Sequence, residues 1–122
     1  MIKSNDYSAI QNGDFSSVSG TWRNPTGIEF TFDKNGLVSD KSKILIEHAK
    51  EIDHYLKANS VSKDGGAGAA IAFLPAGIPI TMSVTSSSDN GYTDSSDITQ
   101  DRLWFGHQLI NGSTEGFFYK VE

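Results

Sequence analysis

The stretch GIEFTFDKNGLVS, residues 27 to 39, alternates apolar and polar side chains and then meets an Asn-Gly pair at 35 and 36. In an extended chain Ile28, Phe30 and Phe32 fall on one side and Glu29 and Thr31 on the other, the two-residue period of a strand with one face on a core. A half-buried strand that runs into Asn-Gly predicts a tight hairpin, because Asn and Gly accept the left-handed backbone such turns require. The preceding GTWRN, 20 to 24, reads as a shorter strand. These features commit the first third of the chain to antiparallel sheet.

The same grammar recurs further on. DRLWFGHQLI and GFFYKVE flank NGSTEG and predict a second hairpin at the C-terminal end. AAIAFLP, 69 to 75, is apolar without interruption and predicts a strand buried on both faces, while Pro75 and Pro79 limit ladder donors beyond it. AGIPI and TMSV are expected to continue as a turn into a further strand. The stretch 43–58, KILIEHAKEIDHYLKA, fits two patterns. Leu45, Ala49, Ile52 and Leu56 have helical spacing, yet KILIEH and HYLKANSVS each alternate. Two strands joined by a turn suit the β-rich surroundings better, though spacing alone leaves both readings open. SKDGGAG, 62 to 68, reads as a loop. TSSSDNGYTDSSD, 85 to 97, is nearly free of apolar residues and predicts a mobile surface loop. At the start, a short helix is expected after Asn5 or Asp6, ending at Asn12-Gly13. The fold class is therefore all-β: a small antiparallel up-and-down barrel of about seven to eight strands with a short N-terminal helix.

Composition narrows the function classes. At 122 residues the chain suits one domain, 1–122, with a core of its own. Its net charge is −5 and its 10 basic residues are scattered, which argues against nucleic acid as a partner. The absence of cysteine excludes disulfides, thiolate metal sites and cysteine nucleophiles. No apolar run reaches the roughly 20 residues of a membrane-spanning helix. The N-terminal MIKSNDYSAI lacks a signal-peptide run, so the chain reads as cytoplasmic or as a mature fragment.

Gly20-Thr21-Trp22 resembles the Gly-x-Trp strand that opens the calycin barrels, the lipocalin-like and avidin-like proteins. That resemblance implies that Trp22 plugs the closed end, with a basic residue near the last strand packed over the indole; Arg102 is the candidate. A guanidinium so placed contributes about 0.5 to 2 kcal/mol. GTWRNPTG and FGH (105 to 107) are similar to avidin-type strands, but only Asn24 matches a biotin-contacting position, Ile28 replaces the expected hydroxyl, and no paired tryptophans follow. NGDFSSVSGTWRN, FDKNGLVS, GGAGAAIAFLPAGI and DRLWFGH…FFYKV together resemble an uncharacterised C-terminal domain family of Gram-positive, streptococcal and lactobacillar, surface lipoproteins. This resemblance covers most of the chain. It implies an extracytoplasmic, cell-surface domain held by an upstream lipid-modified cysteine, and it brings no assigned activity.

Chemistry-bearing motifs are weak. His48, Asp53 and His54 lie close in sequence, but the six-residue spacing of the histidines suits no single helix face, and no metal site is expected. His107 reads as a barrel residue. No Gly-x-Ser-x-Gly elbow occurs, GGAG lacks the Lys-Ser/Thr ending of a phosphate loop, and DNGYTDSSD lacks the spacing of an EF-hand. No catalytic residue and no cofactor is expected. The expectation is a non-catalytic module that binds a small apolar or amphipathic ligand, or a cell-surface partner, at the barrel mouth. Trp104 would supply an aromatic wall there, and Asn24 and Arg102 polar handles. The alternative is a structural or adhesive domain whose barrel is filled by its own side chains, and Phe30, Phe32, Ile71, Phe73, Leu103, Phe105, Phe117 and Tyr119 are the candidates to fill it.

Overall fold

A computed structural model describes residues 2–3, 5–65, 68–87 and 91–121. A short helix, α1 (Asn5–Gln11), leads into eight strands: β1 (Gly20–Arg23), β2 (Glu29–Asp33), β3 (Gly36–Leu37), β4 (Ser42–Ile52), β5 (Tyr55–Ser62), β6 (Ala70–Leu74), β7 (Arg102–Gly106) and β8 (Phe117–Val121). They form one antiparallel sheet in the order β3-β2-β1-β8-β7-β6-β5-β4. Apart from β3 and β4, strands adjacent in sequence pair with each other, and β8 returns to β1, with Thr21 opposite Val121 and Trp22 opposite Lys120. The result is a nearly closed up-and-down barrel. Its one seam lies between β3 and β4, the two ends of the sheet order.

The first hairpin forms as the alternation predicts, with a shift at its tip. Phe32 pairs with Leu37 and Asp33 with Gly36, so Lys34 and Asn35 occupy the loop and Gly36 already belongs to β3. Ile28 lies outside β2 and is exposed. The stretch 43–58 resolves into two strands. Asp53 and His54 turn the chain with φ of 50° and 75°, the left-handed pair that matches the twist of a two-residue hairpin. β4 is irregular: its register shifts between Leu45 and Lys50. The helical spacing of Leu45, Ala49, Ile52 and Leu56 is thus a by-product of an extended chain that bulges, not of a helix.

The expected strand at TMSV does not form. Met82–Thr85 is a 3-10 turn that ends on Ser86 in the left-handed region, and among the described residues the connection from β6 to β7 is strap rather than sheet. Parts of 85–97 are not a detached surface loop either, since Asp94 is buried against Arg102; Ser88, Asp89 and Asn90 of that stretch lie outside the described residues.

α1 follows its own local rules. The Asp6 carboxylate accepts the Lys3 amide at 2.8 Å near the helix start, and the helix stops at Gly13, whose φ is +92°. Tyr7 and Ile10, three apart and therefore on one face, are buried with Trp22 and the inner strand residues, closing one end of the barrel.

β6 shows what its unbroken apolar sequence means. Ile71 and Phe73 belong to a core inside the barrel, and Ala72 and Leu74 to a second core outside it. That outer core includes Ile80 and Val84 of the strap, laid against Tyr55, Trp104 and Phe117 of the sheet. Phe117 and Tyr119 therefore face outward rather than filling the barrel, and Phe118 takes the inner place.

Candidate functional site

Trp22 sits in the inner core at the end that α1 closes, 1% exposed, with its indole N–H donated to the Val18 carbonyl at 2.9 Å. The cation beside it is Lys120, whose Nζ lies 6.0 Å from the ring centroid. Lys120 stands directly opposite Trp22 in the β1–β8 ladder, and directly opposed residues share a face. Arg102 does not lie over the indole. It pairs with Tyr119, one residue out of step with Lys120, which turns its side chain to the outside of the sheet.

On that outer face Arg102 is fully buried and is completely saturated with acceptors. Nε donates to Ser96 Oγ at 2.9 Å. Nη1 donates to the carbonyls of Pro75 and Gln100, each at 3.0 Å, and Nη2 to the Ile78 carbonyl at 2.7 Å and Asp94 Oδ2 at 3.1 Å. A guanidinium has five N–H donors, and all five are used. Asp94 is held in turn by the amides of Ile80 and Ser96 and by the Ser96 hydroxyl. Asp101 adds a second tie, accepting the amides of Ile2 and Ala76. Nothing in Arg102 is left to meet a ligand, and its role is to clamp the strap to the sheet.

Trp104, two residues on, shares that face and lies 3% exposed in the outer core. A Cβ on Gly106 would come 2.7 Å from its ring, and one on Gly116 2.6 Å from Nε1, so two glycines make the bed in which the indole lies. It forms no wall of the barrel mouth. Asn24 is 5% exposed and organises its own turn: Oδ1 accepts from the amides of Thr26 and Ile28 and from the Thr26 hydroxyl, and Nδ2 donates to the Glu115 carbonyl. The position that resembles a biotin contact is thus spent on the β1–β2 connection.

The end of the barrel away from α1 offers a different surface. Phe30, Phe105 and Phe118 meet inside it, with ring centroids 4.4, 5.0 and 5.6 Å apart, and fill the lumen. Above them lies a cleft of about 390 Å³ lined by Phe30, Leu37, Ser42, Ser60, Gly68, Ala69, Phe105, Gly106 and His107. Leu37 and Ser42 come from β3 and β4, so the cleft opens at the seam. Its rim is tied by hydrogen bonds between Ser60 and Ala69. The Ser60 amide donates to the Ala69 carbonyl at 2.8 Å, and the Ser60 hydroxyl bonds both the amide and the carbonyl of Ala69. Gly68 is forced at this crossing, since a Cβ there would lie 1.7 Å from the Ser60 carbonyl oxygen. Of the GGAG stretch, Gly66 and Ala67 lie outside the described residues. A second groove, of about 470 Å³, adjoins the cleft over the rim on the outer face and shares Ser60, Gly68, Ala69, Gly106 and His107 with it.

The histidines do not converge. His54 is a turn residue and His107 a rim residue, and among the described residues no group of three His, Cys, Asp or Glu side chains is placed to hold a metal ion. Of the expected site residues, Arg102 and Trp104 come together, on the outer face, while Asn24 serves the β1–β2 turn. Phe30 and Phe105 were foreseen as inward residues. Leu37, Ser42, Ser60 and His107 were not singled out for the mouth, because their convergence depends on where the seam falls. The one local signal was Gly68, a glycine at the foot of an apolar strand, which marks a close backbone approach.

The chain belongs to the family described as a domain of unknown function, DUF6287, whose model matches residues 2–122. No curated protein and no solved structure matches it.

Proposed function

We propose that this domain is a non-catalytic binding module whose ligand, a small apolar or amphipathic molecule, is seated in the cleft at the barrel mouth. The observation that carries this reading is the cleft itself: about 390 Å³, walled by Phe30, Leu37 and Phe105, with Phe118 packed against the two phenylalanines. Ligand pockets occupy about 300 to 1,000 Å³ and combine apolar walls with few polar groups. The one serine of the rim with a fully accounted hydroxyl, Ser60, is engaged by Ala69, which favours binding over nucleophilic chemistry. The likeness of several segments to the C-terminal domains of Gram-positive surface lipoproteins supports an extracytoplasmic setting, with an upstream lipid anchor in the full-length protein. Protease accessibility of a tagged protein on intact cells tests that setting.

Native mass spectrometry of gently purified protein, followed by thermal-shift screening against lipids, haem, biotin and cell-wall fragments, tests the binding reading. A ligand that binds the native chain and is lost in Ser42→Trp, which fills the cleft at the seam, supports it. Absence of any ligand leaves the structural or adhesive reading, which draws on the side-chain-filled lumen.

A further inference from the structure

The cleft and the outer groove are continuous across the rim but differ in chemistry. The inner one is bounded by Phe30, Leu37 and Phe105. The outer one sets Lys57, Asn59, Thr85 and Ser86, all hydrogen-bond donors, beside apolar Leu45, Val61 and Val84. Among the described residues, neither contains a carboxylate, although the chain as a whole carries 15 acidic residues against 10 basic and a net charge of −5. Moreover, Lys57 stands directly opposite Lys50 in the β4–β5 ladder, just where β4 resumes its pairing after the bulge. Like charges placed directly across a ladder repel, and an anion between them relieves that repulsion.

We propose that the occupant is an elongated amphiphile with an anionic headgroup, laid across the rim with its apolar chain between Phe30, Leu37 and Phe105 and its headgroup at Lys57 and Lys50. This rests on the reading of the mouth as a binding site and specifies what binds there. From Ser60 to Lys57 is three residues of strand, about 10 Å at roughly 3.3 Å per residue, so the ligand must be extended rather than compact. Of the residues the two share, Gly68, Ala69 and Gly106 carry at most a methyl group, Gly68 cannot carry even that, and Ser60 and His107 stand beside them.

Three single-chain probes with the same dodecyl chain test the proposal by calorimetry below their micellar concentrations: dodecanoate, dodecyl maltoside and dodecyltrimethylammonium. Dodecanoate is expected to bind at least about tenfold tighter than the other two, the size of one charge-assisted hydrogen bond. Added salt weakens dodecanoate and leaves dodecyl maltoside unchanged. Lys57→Gln, and independently Lys50→Gln, lower dodecanoate affinity several-fold to tenfold without changing dodecyl maltoside binding, with thermal melts verifying the fold of each variant. Equal affinity for all three probes, or dodecanoate binding untouched by both substitutions, overturns the headgroup assignment while leaving the mouth as the binding site. Failure of every dodecyl compound to bind the folded native protein overturns the mouth reading and the headgroup with it.

Discussion

The sheet carries a core on each face, and the two are built differently. Inside the barrel, apolar side chains pack on apolar side chains, and polar atoms enter only at the edges, as where the Trp22 indole reaches Val18. Outside it, Tyr55, Ala72, Leu74, Trp104 and Phe117 are covered by a strap with almost no regular structure, whose backbone carbonyls must find donors elsewhere. Arg102 supplies those donors. A lumen can be closed by shape, whereas an irregular segment laid on a sheet needs a polar anchor that satisfies its backbone, and a five-donor fork is the side chain best suited to that.

Two substitutions of similar size separate the cores by what they disturb. Trp22→Ala is expected to cost about 3–5 kcal/mol, the usual loss on emptying a large aromatic site, and to lower the midpoint of one cooperative denaturation curve. Arg102→Ala is also expected to cost about 3–5 kcal/mol, because it strands Asp94 without its partner in a dry site. In that variant, however, amide exchange should accelerate first across residues 75–101. The pair Arg102→Met with Asp94→Leu sharpens the contrast. Removing both charges together should recover part of the loss if desolvation of Asp94 dominates, and recover none if the backbone carbonyls of Pro75, Ile78 and Gln100 are the main cost.

A smaller effect is expected from Gly116→Ala. Its Cβ would press on Trp104 Nε1 and the Phe105 carbonyl, at a cost of about 1–3 kcal/mol, with a shift in tryptophan fluorescence that leaves the Trp22 environment unchanged. Uniform broadening of signals from both faces would show that the cores are not separable.

The smallest effect concerns alkaline pH. Burial, assisted by the charges of Glu51 and Asp6, pushes the Tyr7 hydroxyl up to about 12 from its ordinary value near 10. With the folded value raised above the unfolded one, the associated stability is complete below pH 10 and is lost as pH rises from about 10 towards 12. The hydroxyl donates to the His54 carbonyl at 2.6 Å, tying α1 to the β4–β5 turn. Tyr7→Phe should therefore cost about 0.5–1.5 kcal/mol at neutral pH and remove this alkaline slope, measured as denaturation midpoints at a series of pH values.

How much of this was legible in the sequence depends on whether a strand advertises an inside. β2 does, since Phe30 and Phe32 alternate with Glu29 and Thr31, and its orientation follows directly. β7 does not, since Leu103, Trp104 and Phe105 are all apolar and either parity could face the lumen. The resemblance to calycin barrels placed Arg102 over Trp22 by position near the last strand, but the ladder puts Arg102 opposite Tyr119 and gives the cation to Lys120. The same ambiguity in FFYKV exchanged Phe117 for Phe118. The turn inside 43–58 is expected but its place is not, because Asp53 and His54 adopt the left-handed region without the glycine that usually marks such a turn. The outer core could not be foreseen from the polar stretch 85–97, because its few anchoring residues, Tyr92 and Asp94, are meaningful only once a sheet face lies beneath them.

The ladder between β1 and β8 has a consequence for how the molecule comes into being. Thr21 finds its partner in Val121, a hundred residues later, so the β1–β2–β3 and β4–β5–β6–β7 ladders can both exist before β8 joins them. Until β8 is made, a chain emerging from the ribosome holds two separate sheets, with β1 and β7 as the edges that β8 will pair, and joining them is necessarily a late, long-range event. A domain built this way stays unlocked for most of its synthesis, and its native state is sealed by a single strand of five residues.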